Sequence, residues 1–163
     1  MERVLDLLTP GNRLVMEVAL KTGLRVGDIL ALKSSQIASK MKVKEHKTGK
    51  LRTVTLPASL VARVVEHSFG SEWAFPGRKP DRPRTRQAVW YDVKRAAKAY
   101  RFPGNISVHS SRKTYAVELL KKCGSLERVQ KALNHGHLET TMLYALADLG
   151  YSRSGKKPAK KRG

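Results

Sequence analysis

The chain has 163 residues, 40% of them hydrophobic, which is enough for one domain with a real core but too short for two ordinary domains. It carries 33 Lys and Arg against 13 Asp and Glu, a net charge of +20 that favours a polyanionic partner, because basic side chains release counterions from phosphates. The single cysteine excludes an internal disulfide, and no apolar run predicts a membrane span or a signal peptide.

Apolar periodicity and start and stop residues predict seven helices and a β-hairpin. In chain order, the helices are expected at about 13–22, 26–32, 57–70, 86–100, 108–122, 126–133 and from 140 onward. The hairpin comprises strands at 41–46 and 51–56, joined by turn residues 47–50. The expected class is α+β, mostly helical, with a small three-stranded antiparallel sheet near the N-terminal third. A single domain over 1–151 is expected, followed by a basic flexible tail at 152–163.

Some side chains suit phosphate chemistry even before any resemblance is considered. His109 and Arg112 lie three residues apart on one predicted helix and therefore project from the same face. A proton carrier is thus next to a planar cation that can donate hydrogen bonds to a phosphodiester. The same spacing is also typical of a solvated helix face. Arg25 follows the helix stop at Gly23 and alone is typical of a surface arginine. Asp28 suits the first turn of a helix or could orient a catalytic neighbour.

Further candidates are equally ambiguous when taken singly. Lys47 stands at the tip of the predicted hairpin, where lysine is common, although a hairpin can also lower an ammonium into a DNA groove. Tyr144 alone is typical of a half-buried packing tyrosine. His135 and His137 with the distant Cys123 do not complete a metal ligand set, so no metal site is expected.

Taken together, five segments resemble the tyrosine recombinase family, which includes phage integrases and chromosome-dimer resolvases. The residue types, their chain order and their local contexts all match, from about Thr9 to Asp148. The matching segments are Thr22-Gly23-Leu24-Arg25-Val26-Gly27-Asp28, Lys47-Thr48-Gly49-Lys50, His109-Ser110-Ser111-Arg112-Lys113, Leu133-Asn134-His135 and Thr140-Thr141-Met142-Leu143-Tyr144.

Three departures from the family pattern accompany the match. Asn134 stands where glycine is usual, and we expect it to adopt the same left-handed backbone. Ser110-Ser111 replaces the commoner Asp-Leu. Nothing resembling the family's N-terminal core-binding domain precedes the match, so we expect either an excised catalytic domain or a short family member.

The resemblance implies a site-specific recombinase, an integrase that cleaves and rejoins DNA through a 3′-phosphotyrosyl intermediate at Tyr144, without metal, cofactor or ATP. It implies that Arg25 and Arg112 donate hydrogen bonds to the non-bridging phosphate oxygens, where negative charge grows. It also implies that Lys47 protonates the leaving 5′-oxygen and that His109 assists proton transfer.

The resemblance further implies that His135 steadies the phosphate or the attacking oxygen and that Asp28 is a supporting residue. The expected partner is double-stranded DNA, with self-assembly to a tetramer on DNA and no membrane. The expected location is the cytoplasm, at the nucleoid when the protein is on DNA. The basic residues proposed to contact DNA are Lys44, Lys50, Arg52, Arg84, Arg86 and Lys113.

Three alternative functions remain open at this point. A type IB topoisomerase-like enzyme uses a similar tyrosyl link but relaxes supercoils. A catalytically silent DNA-binding regulator would keep the fold, although every catalytic position here holds a competent residue. A basic RNA-binding protein fits the charge but makes no prediction about Tyr144.

Overall fold

A computed structural model describes residues 2–79, 81–101 and 106–134 of the chain. The helices are α1 (Glu2–Leu5), α2 (Pro10–Thr22), α3 (Val26–Leu30), α4 (Ala58–His67), α5 (Arg86–Ala99), α6 (Ser110–Cys123) and α7 (Leu126–Leu133). Strands β1 (Lys40–Lys44) and β2 (Leu51–Thr55) form an antiparallel hairpin. Six predicted helices are confirmed, α1 was not predicted, and the helix expected from 140 lies outside the described residues. No helix in the described part has the length and apolar character needed to cross a bilayer.

The expectation of a third strand was wrong within the described residues, where the sheet has two strands. After β2 the chain turns at Pro57 directly into α4. Further along, Pro76 and Pro83 pair only as an isolated bridge. Proline has no N–H to donate, so a ladder cannot extend through either position. The mostly helical α+β class is otherwise confirmed.

Helix α2 lies at the centre of the fold and contacts α3, α4, α5, α6 and β2. Its apolar side chains Val15, Met16, Val18 and Ala19 are fully buried. Burying a side chain such as Val or Met contributes roughly 1.5–3 kcal/mol. A smaller apolar cluster joins α6 to α7 through residues such as Leu133. The core is therefore built around α2, and a second, smaller cluster fastens α7 to α6.

Short-range caps fix several helix ends as the sequence predicts. Thr85 Oγ1 accepts a hydrogen bond from the Ala88 backbone N at 3.1 Å, and Ser125 Oγ accepts one from the Arg128 N at 3.3 Å. Helix α6 instead begins at Ser110, two residues later than predicted, because Ser107 and Ser110 close a turn on each other through two hydrogen bonds. That turn leaves His109 immediately before the helix.

Asp92 of α5 fastens the start of α2 to α5. Its Oδ2 accepts hydrogen bonds from the Thr9 backbone N at 2.9 Å and from Asn12 Nδ2 at 2.8 Å. Its Oδ1 accepts from Arg95 Nη2 at 2.6 Å. Burial alone would raise the pKa of Asp92, but the hydrogen bonds from Asn12, Thr9 and Arg95 outweigh it and hold the pKa at about 2.

Gly23 ends α2 in the left-handed conformation, with φ of 63°. A Cβ at this position would lie 2.3 Å from Cδ1 of Tyr115, which is an overlap with the ring. The Gly23 carbonyl also accepts hydrogen bonds from Arg52 and Arg112. Both the backbone angle and the space therefore require glycine at the point where the chain leaves α2.

We expect Gly23→Ala to destabilise the fold more than Gly124→Ala, which makes a matched control. Gly124 ends α6 at φ 64°, but a Cβ there meets nothing within 4 Å. Gly124→Ala should cost about 1 kcal/mol for the left-handed backbone, and Gly23→Ala roughly 2 kcal/mol more for the overlap with Tyr115. Denaturant unfolding measures both, and equal losses would show that Tyr115 does not restrict Gly23.

We expect Asp92 to make the free energy of unfolding depend on pH in the acid range. The pKa of Asp92 is about 2 in the folded protein and 3.8 ordinarily. The ionised carboxylate therefore stabilises the fold fully above about pH 4, and this stabilisation is lost as the pH falls toward 2. The contribution is at most about 2 kcal/mol. The Asp92→Asn variant should therefore lose less stability than the wild type between about pH 5 and pH 2 in urea titrations. Exposed Asp81→Asn is the control, and parallel curves for wild type and Asp92→Asn would contradict the assignment.

Candidate active site

An open cleft of about 540 Å³ lies where the start of α3, the β1–β2 turn, the start of α5 and the residues before α6 meet. Three predicted catalytic residues, Arg25, Lys47 and His109, line it together with the supporting Asp28. Arg86, a predicted DNA contact, lies in the same wall. The full lining is Arg25, Val26, Gly27, Asp28, Ala31, His46, Lys47, Arg86, Val108 and His109. Residues from four separate parts of the chain thus form one cationic cleft.

Arg25 is held in this cleft by its backbone and by a buried acid. It precedes α3 in an extended conformation, and its carbonyl accepts the Asp28 backbone N–H at 2.9 Å. Its Nη1 donates to Oε2 of Glu45 at 2.7 Å. The Arg25 side chain is 23% exposed, so part of the guanidinium still borders the cleft. A guanidinium has five N–H donors, and the Glu45 contact uses one edge of the planar fork.

Asp28 holds the turn that carries Lys47. Its side chain is 3% exposed, and its Oδ1 accepts the backbone N–H of His46 at 2.9 Å. The same oxygen lies 3.3 Å from Nδ1 of the His46 ring. Its Oδ2 lies 4.0 Å from Arg25 Nη1. The carboxylate therefore joins α3 to the hairpin turn and also lines the cleft.

Lys47 is exposed at the turn that closes the hairpin. The turn is tightened by backbone hydrogen bonds from Glu45 N to Lys50 O at 3.0 Å and from Gly49 N to Glu45 O at 2.8 Å. Gly49 has φ of 66°, the left-handed conformation that glycine adopts readily. Lys47 thus lines the cleft from a short, closed turn.

Arg112 is almost fully buried in the first turn of α6, at 5% exposure. Its Nη1 donates to the Gly23 carbonyl at 2.6 Å and its Nη2 to the Leu133 carbonyl at 2.5 Å. It therefore links the loop that precedes Arg25 to the end of α7. Its charge reaches the cleft, since it contributes to lowering the pKa of both Glu45 and His109.

His109 lies beside several cations. Burial lowers the pKa of its imidazole, and the charges of Arg86, Arg112, Lys113 and Arg25 lower it further. The ring is therefore neutral at neutral pH and has a nitrogen that can accept a proton. The buried Val108 next to it fixes the backbone at the cleft wall.

His135 and Tyr144 lie outside the described residues. The described chain reaches Asn134, which has φ of 50° after α7. The expected left-handed conformation of Asn134 is thereby confirmed. Leu133, whose carbonyl binds Arg112, is two residues before His135 in sequence.

The candidate DNA contacts divide into exposed and internal residues. Lys44, Lys50, Arg86 and Lys113 are exposed. Arg52 is internal, because its side chain is 8% exposed and donates to the carbonyls of Thr22 and Gly23, a position that does not favour the predicted DNA contact. Its position in β2 faces inward with its strand neighbour Val54, so the alternation of the strand could have revealed it.

Arg84 is also mostly internal. It is half-buried, its Nη1 donates to Asn12 Oδ1 at 3.1 Å, and burial lowers the pKa of its guanidinium. Its side chain packs against Gly11, where a Cβ would lie 2.4 Å from Arg84 Nη2. Its contacts join the start of α2 to the segment before α5, and this internal position does not favour a contact with the DNA surface.

Sequence reasoning missed two residues of the cleft region, Glu45 and His46. Glu45 is 0% exposed, and His46 lines the cleft beside Lys47. A signal for Glu45 was present, because the alternation that buries Met41 and Val43 places residue 45 on the same inward face. An acid on a buried face indicates a cationic partner, although its identity requires the fold.

The sequence of the chain matches a known family. The sequence model described as the phage integrase family matches residues 3–149. An integrase/recombinase of Sinorhizobium fredii is 30% identical over 147 residues, covering 86% of this chain and 47% of that protein. The chain thus spans about half the length of the curated relatives it matches.

Solved structures share the fold. The XerH site-specific recombinase bound to palindromic difH substrate, in a post-cleavage complex, gives a TM-score of 0.73 at 22% identity, covering 88% of this chain and 46% of that one. A lambda integrase tetramer bound to a Holliday junction gives 0.69 at 22% identity, covering 93% and 45%. At this identity the likeness establishes the fold.

We expect the pKa of His109 to lie below the ordinary histidine value of 6.5 and to rise in Arg86→Gln, because that variant removes one of the cations that disfavour the imidazolium. NMR titration of the ring protons measures the pKa. Lys98→Gln, which removes a cation at the far end of α5, should leave it in place. An unchanged His109 pKa in Arg86→Gln would contradict the electrostatic assignment.

Proposed function

Because the chain belongs to the phage integrase family, we propose that it is a site-specific DNA recombinase that cuts and rejoins strands through a 3′-phosphotyrosyl link to Tyr144. The observation that carries the proposal is the single cleft lined by Arg25, Lys47 and His109. Separate parts of the chain supply these groups, and a phosphodiester is the chemical group that all of them suit. We infer that residues 1–151 form the catalytic domain and that 152–163 form a basic tail.

The cations of the cleft would bind the scissile phosphate. The edge of Arg25 not bound to Glu45 can donate two parallel hydrogen bonds to non-bridging oxygens. Arg112, whose charge acts on His109, would add a second guanidinium, and we propose that His135 steadies the same phosphate. Negative charge grows on these oxygens as the nucleophile attacks, so preorganised donors stabilise the transition state more than the ground state. Two guanidinium groups can supply the stabilisation that metal ions supply in other phosphoryl transfers, and no metal or ATP is invoked.

The reaction then exchanges one phosphodiester for another. The Tyr144 oxygen attacks phosphorus and the bond from phosphorus to the 5′-oxygen breaks, with the electron pair going to that oxygen. Lys47 gives a proton to the leaving oxygen, and neutral His109 takes up the tyrosine proton. Attack by a partner strand's 5′-hydroxyl reverses the steps. The tyrosyl phosphodiester conserves the bond energy, so rejoining requires no nucleotide.

Double-stranded DNA is the proposed partner, bound largely through phosphates. The exposed Lys44, Lys50, Arg86 and Lys113 are near the hairpin, the cleft wall and the start of α6, and each could neutralise a phosphate. The lambda integrase and XerH structures that share the fold are DNA complexes, one of them a tetramer on a Holliday junction. Assembly to a tetramer on DNA and a cytoplasmic, nucleoid-associated location follow from the same proposal.

We expect a covalent protein–DNA complex that requires Tyr144. The probe is a duplex selected for binding to this protein from a random-sequence pool, nicked so that the released strand diffuses away. Incubation with EDTA, followed by a denaturing gel, should show a DNA-linked band for the wild type and none for Tyr144→Phe. Arg25→Ala should reduce the rate by a factor of about a hundred or more, as loss of one transition-state donor does elsewhere.

Duplex binding by Tyr144→Phe, measured by mobility shift, is the control that the variant is folded. Wild-type protein that binds the selected duplex but gives no covalent band would favour a DNA-binding regulator. Wild-type protein that gives the band but converts supercoiled plasmid only to relaxed plasmid, without recombinants, would favour a topoisomerase-like enzyme.

A further inference from the structure

Glu45 is an acid inside a strongly basic chain. It follows β1 and precedes the turn residues His46 and Lys47. Its side chain is 0% exposed, and its Oε2 accepts hydrogen bonds from Arg25 Nη1 at 2.7 Å and from Thr48 Oγ1 at 3.1 Å. Its Oε1 lies 3.7 Å from Arg52 Nη1. One carboxylate therefore contacts a cleft arginine, the hairpin turn and a buried arginine of β2.

The charges around Glu45 keep it ionised despite its burial. Burial by itself would raise the pKa of the carboxyl, but the hydrogen bond and charge of Arg25, the charge of Arg112 and the Thr48 hydroxyl outweigh it and lower the pKa. A buried carboxylate is costly unless it is paired and hydrogen-bonded. Here Oε2 is both paired and hydrogen-bonded, through Arg25 and Thr48, whereas Oε1 has the charge of Arg52 at 3.7 Å but no hydrogen bond from the described residues.

The contacts of Glu45 decide how Arg25 is presented. Because Glu45 takes one Nη1 hydrogen, the planar guanidinium is fixed and its remaining edge is directed elsewhere. The same oxygen binds Thr48, the residue after Lys47. A second buried carboxylate, that of Asp28, holds the His46 backbone at 2.9 Å. The turn is thus fastened on both sides of Lys47 to the region of α3 that carries Arg25.

We propose that Glu45 is a positioning residue that couples Arg25 to the turn bearing Lys47, so that phosphate stabilisation and leaving-group protonation are set up together. This inference rests on the proposed recombinase function. It assigns no contact between Glu45 and DNA. Its specific consequence is that loss of Glu45 impairs two chemically distinct steps of one reaction, whereas loss of an ordinary buried ion pair impairs only the fold.

Two modified substrates separate those steps. A duplex with sulfur in place of the scissile bridging 5′-oxygen has a leaving group that requires little protonation, so a defect that acts through Lys47 shrinks on it. A duplex with an uncharged methylphosphonate at the scissile position has lost the charge that Arg25 stabilises, so a defect that acts through Arg25 shrinks on that substrate. The unmodified selected duplex is the reference.

The experiment measures single-turnover covalent-complex formation on the three duplexes for wild type, Glu45→Gln, Thr48→Val and Glu17→Gln. Glu17 is the matched control, because it is also a carboxylate bound by two arginines, Arg13 and Arg63, but it lies outside the cleft. We expect Glu45→Gln to slow cleavage of the unmodified duplex by about tenfold or more, with duplex affinity and unfolding midpoint close to those of Glu17→Gln. The ratio of wild-type to Glu45→Gln rates should shrink on both modified duplexes.

Thr48→Val keeps the proposal testable even if Glu45→Gln does not fold, since Thr48 is exposed and the variant removes one hydroxyl, which donates to Glu45 at 3.1 Å and accepts a longer bond from the Lys50 backbone N at 3.4 Å. Its defect should shrink on the sulfur substrate and persist on the methylphosphonate. A Glu45→Gln defect of equal size on all three duplexes would show a purely structural role, and a defect that shrinks on only one would refute the coupling. If wild-type protein forms no Tyr144-dependent band on the unmodified duplex, the proposed function fails first, and the inference falls with it.

Discussion

The left-handed turn at Gly23 is the constraint on which the cleft depends. It ends α2, and its carbonyl binds two guanidinium groups, those of Arg52 and Arg112. The next residues carry Arg25 into the cleft. Because Tyr115 fills the space where a side chain would be, the turn, the ring and both arginines fit together only around glycine. A cluster of cations is thereby fixed by one backbone conformation rather than by a flexible loop.

The cleft also requires carboxylates that compensate the charges of its arginines. Arg25, Arg52, Arg86 and Arg112 lie in or around one small region, and like charges at short range repel strongly where water is excluded. Two buried carboxylates, Glu45 and Asp28, offset part of this repulsion. The cleft remains cationic, because Arg25, Lys47 and Arg86 line it against the carboxylate of Asp28. Under the proposed function, the site can then fold before DNA binds and still attract a phosphate.

Much of the fold follows from local sequence signals, because helix caps and stops act over a few residues. Thr85 and Ser125 accept the hydrogen bonds that their positions predict, and Gly124 ends α6 in the left-handed conformation. The start of α6 was misplaced by two residues because Ser107 could cap the helix directly or, as observed, form a turn with Ser110. Local signals give both solutions similar weight.

The residues of the candidate site likewise divide into those that local sequence predicts and those that require the fold. The motif residues were predictable because the family resemblance fixes their types and order, and the fold brings Arg25, Lys47 and His109 together. The partners of these residues were not predictable, since Glu45 reaches Arg25 across 20 positions and Arg112 reaches Leu133 across 21. A basic residue such as Arg52 also looks the same in sequence whether it binds phosphate or backbone carbonyls.

These long-range partners also decide how the cleft would receive DNA under the proposed function. Arg112 has two amino groups on backbone carbonyls, and Arg25 has one on a carboxylate, so neither guanidinium depends on phosphate for its orientation. Donors that are already oriented lose little conformational entropy when a charged oxygen arrives. Lys47 differs, because its ammonium is exposed on a turn that is fixed at its flanks but not at its tip. Under the proposed function, the rigid part of the cleft therefore suits a phosphate of constant geometry, and the adjustable part suits a leaving oxygen that moves as the bond breaks.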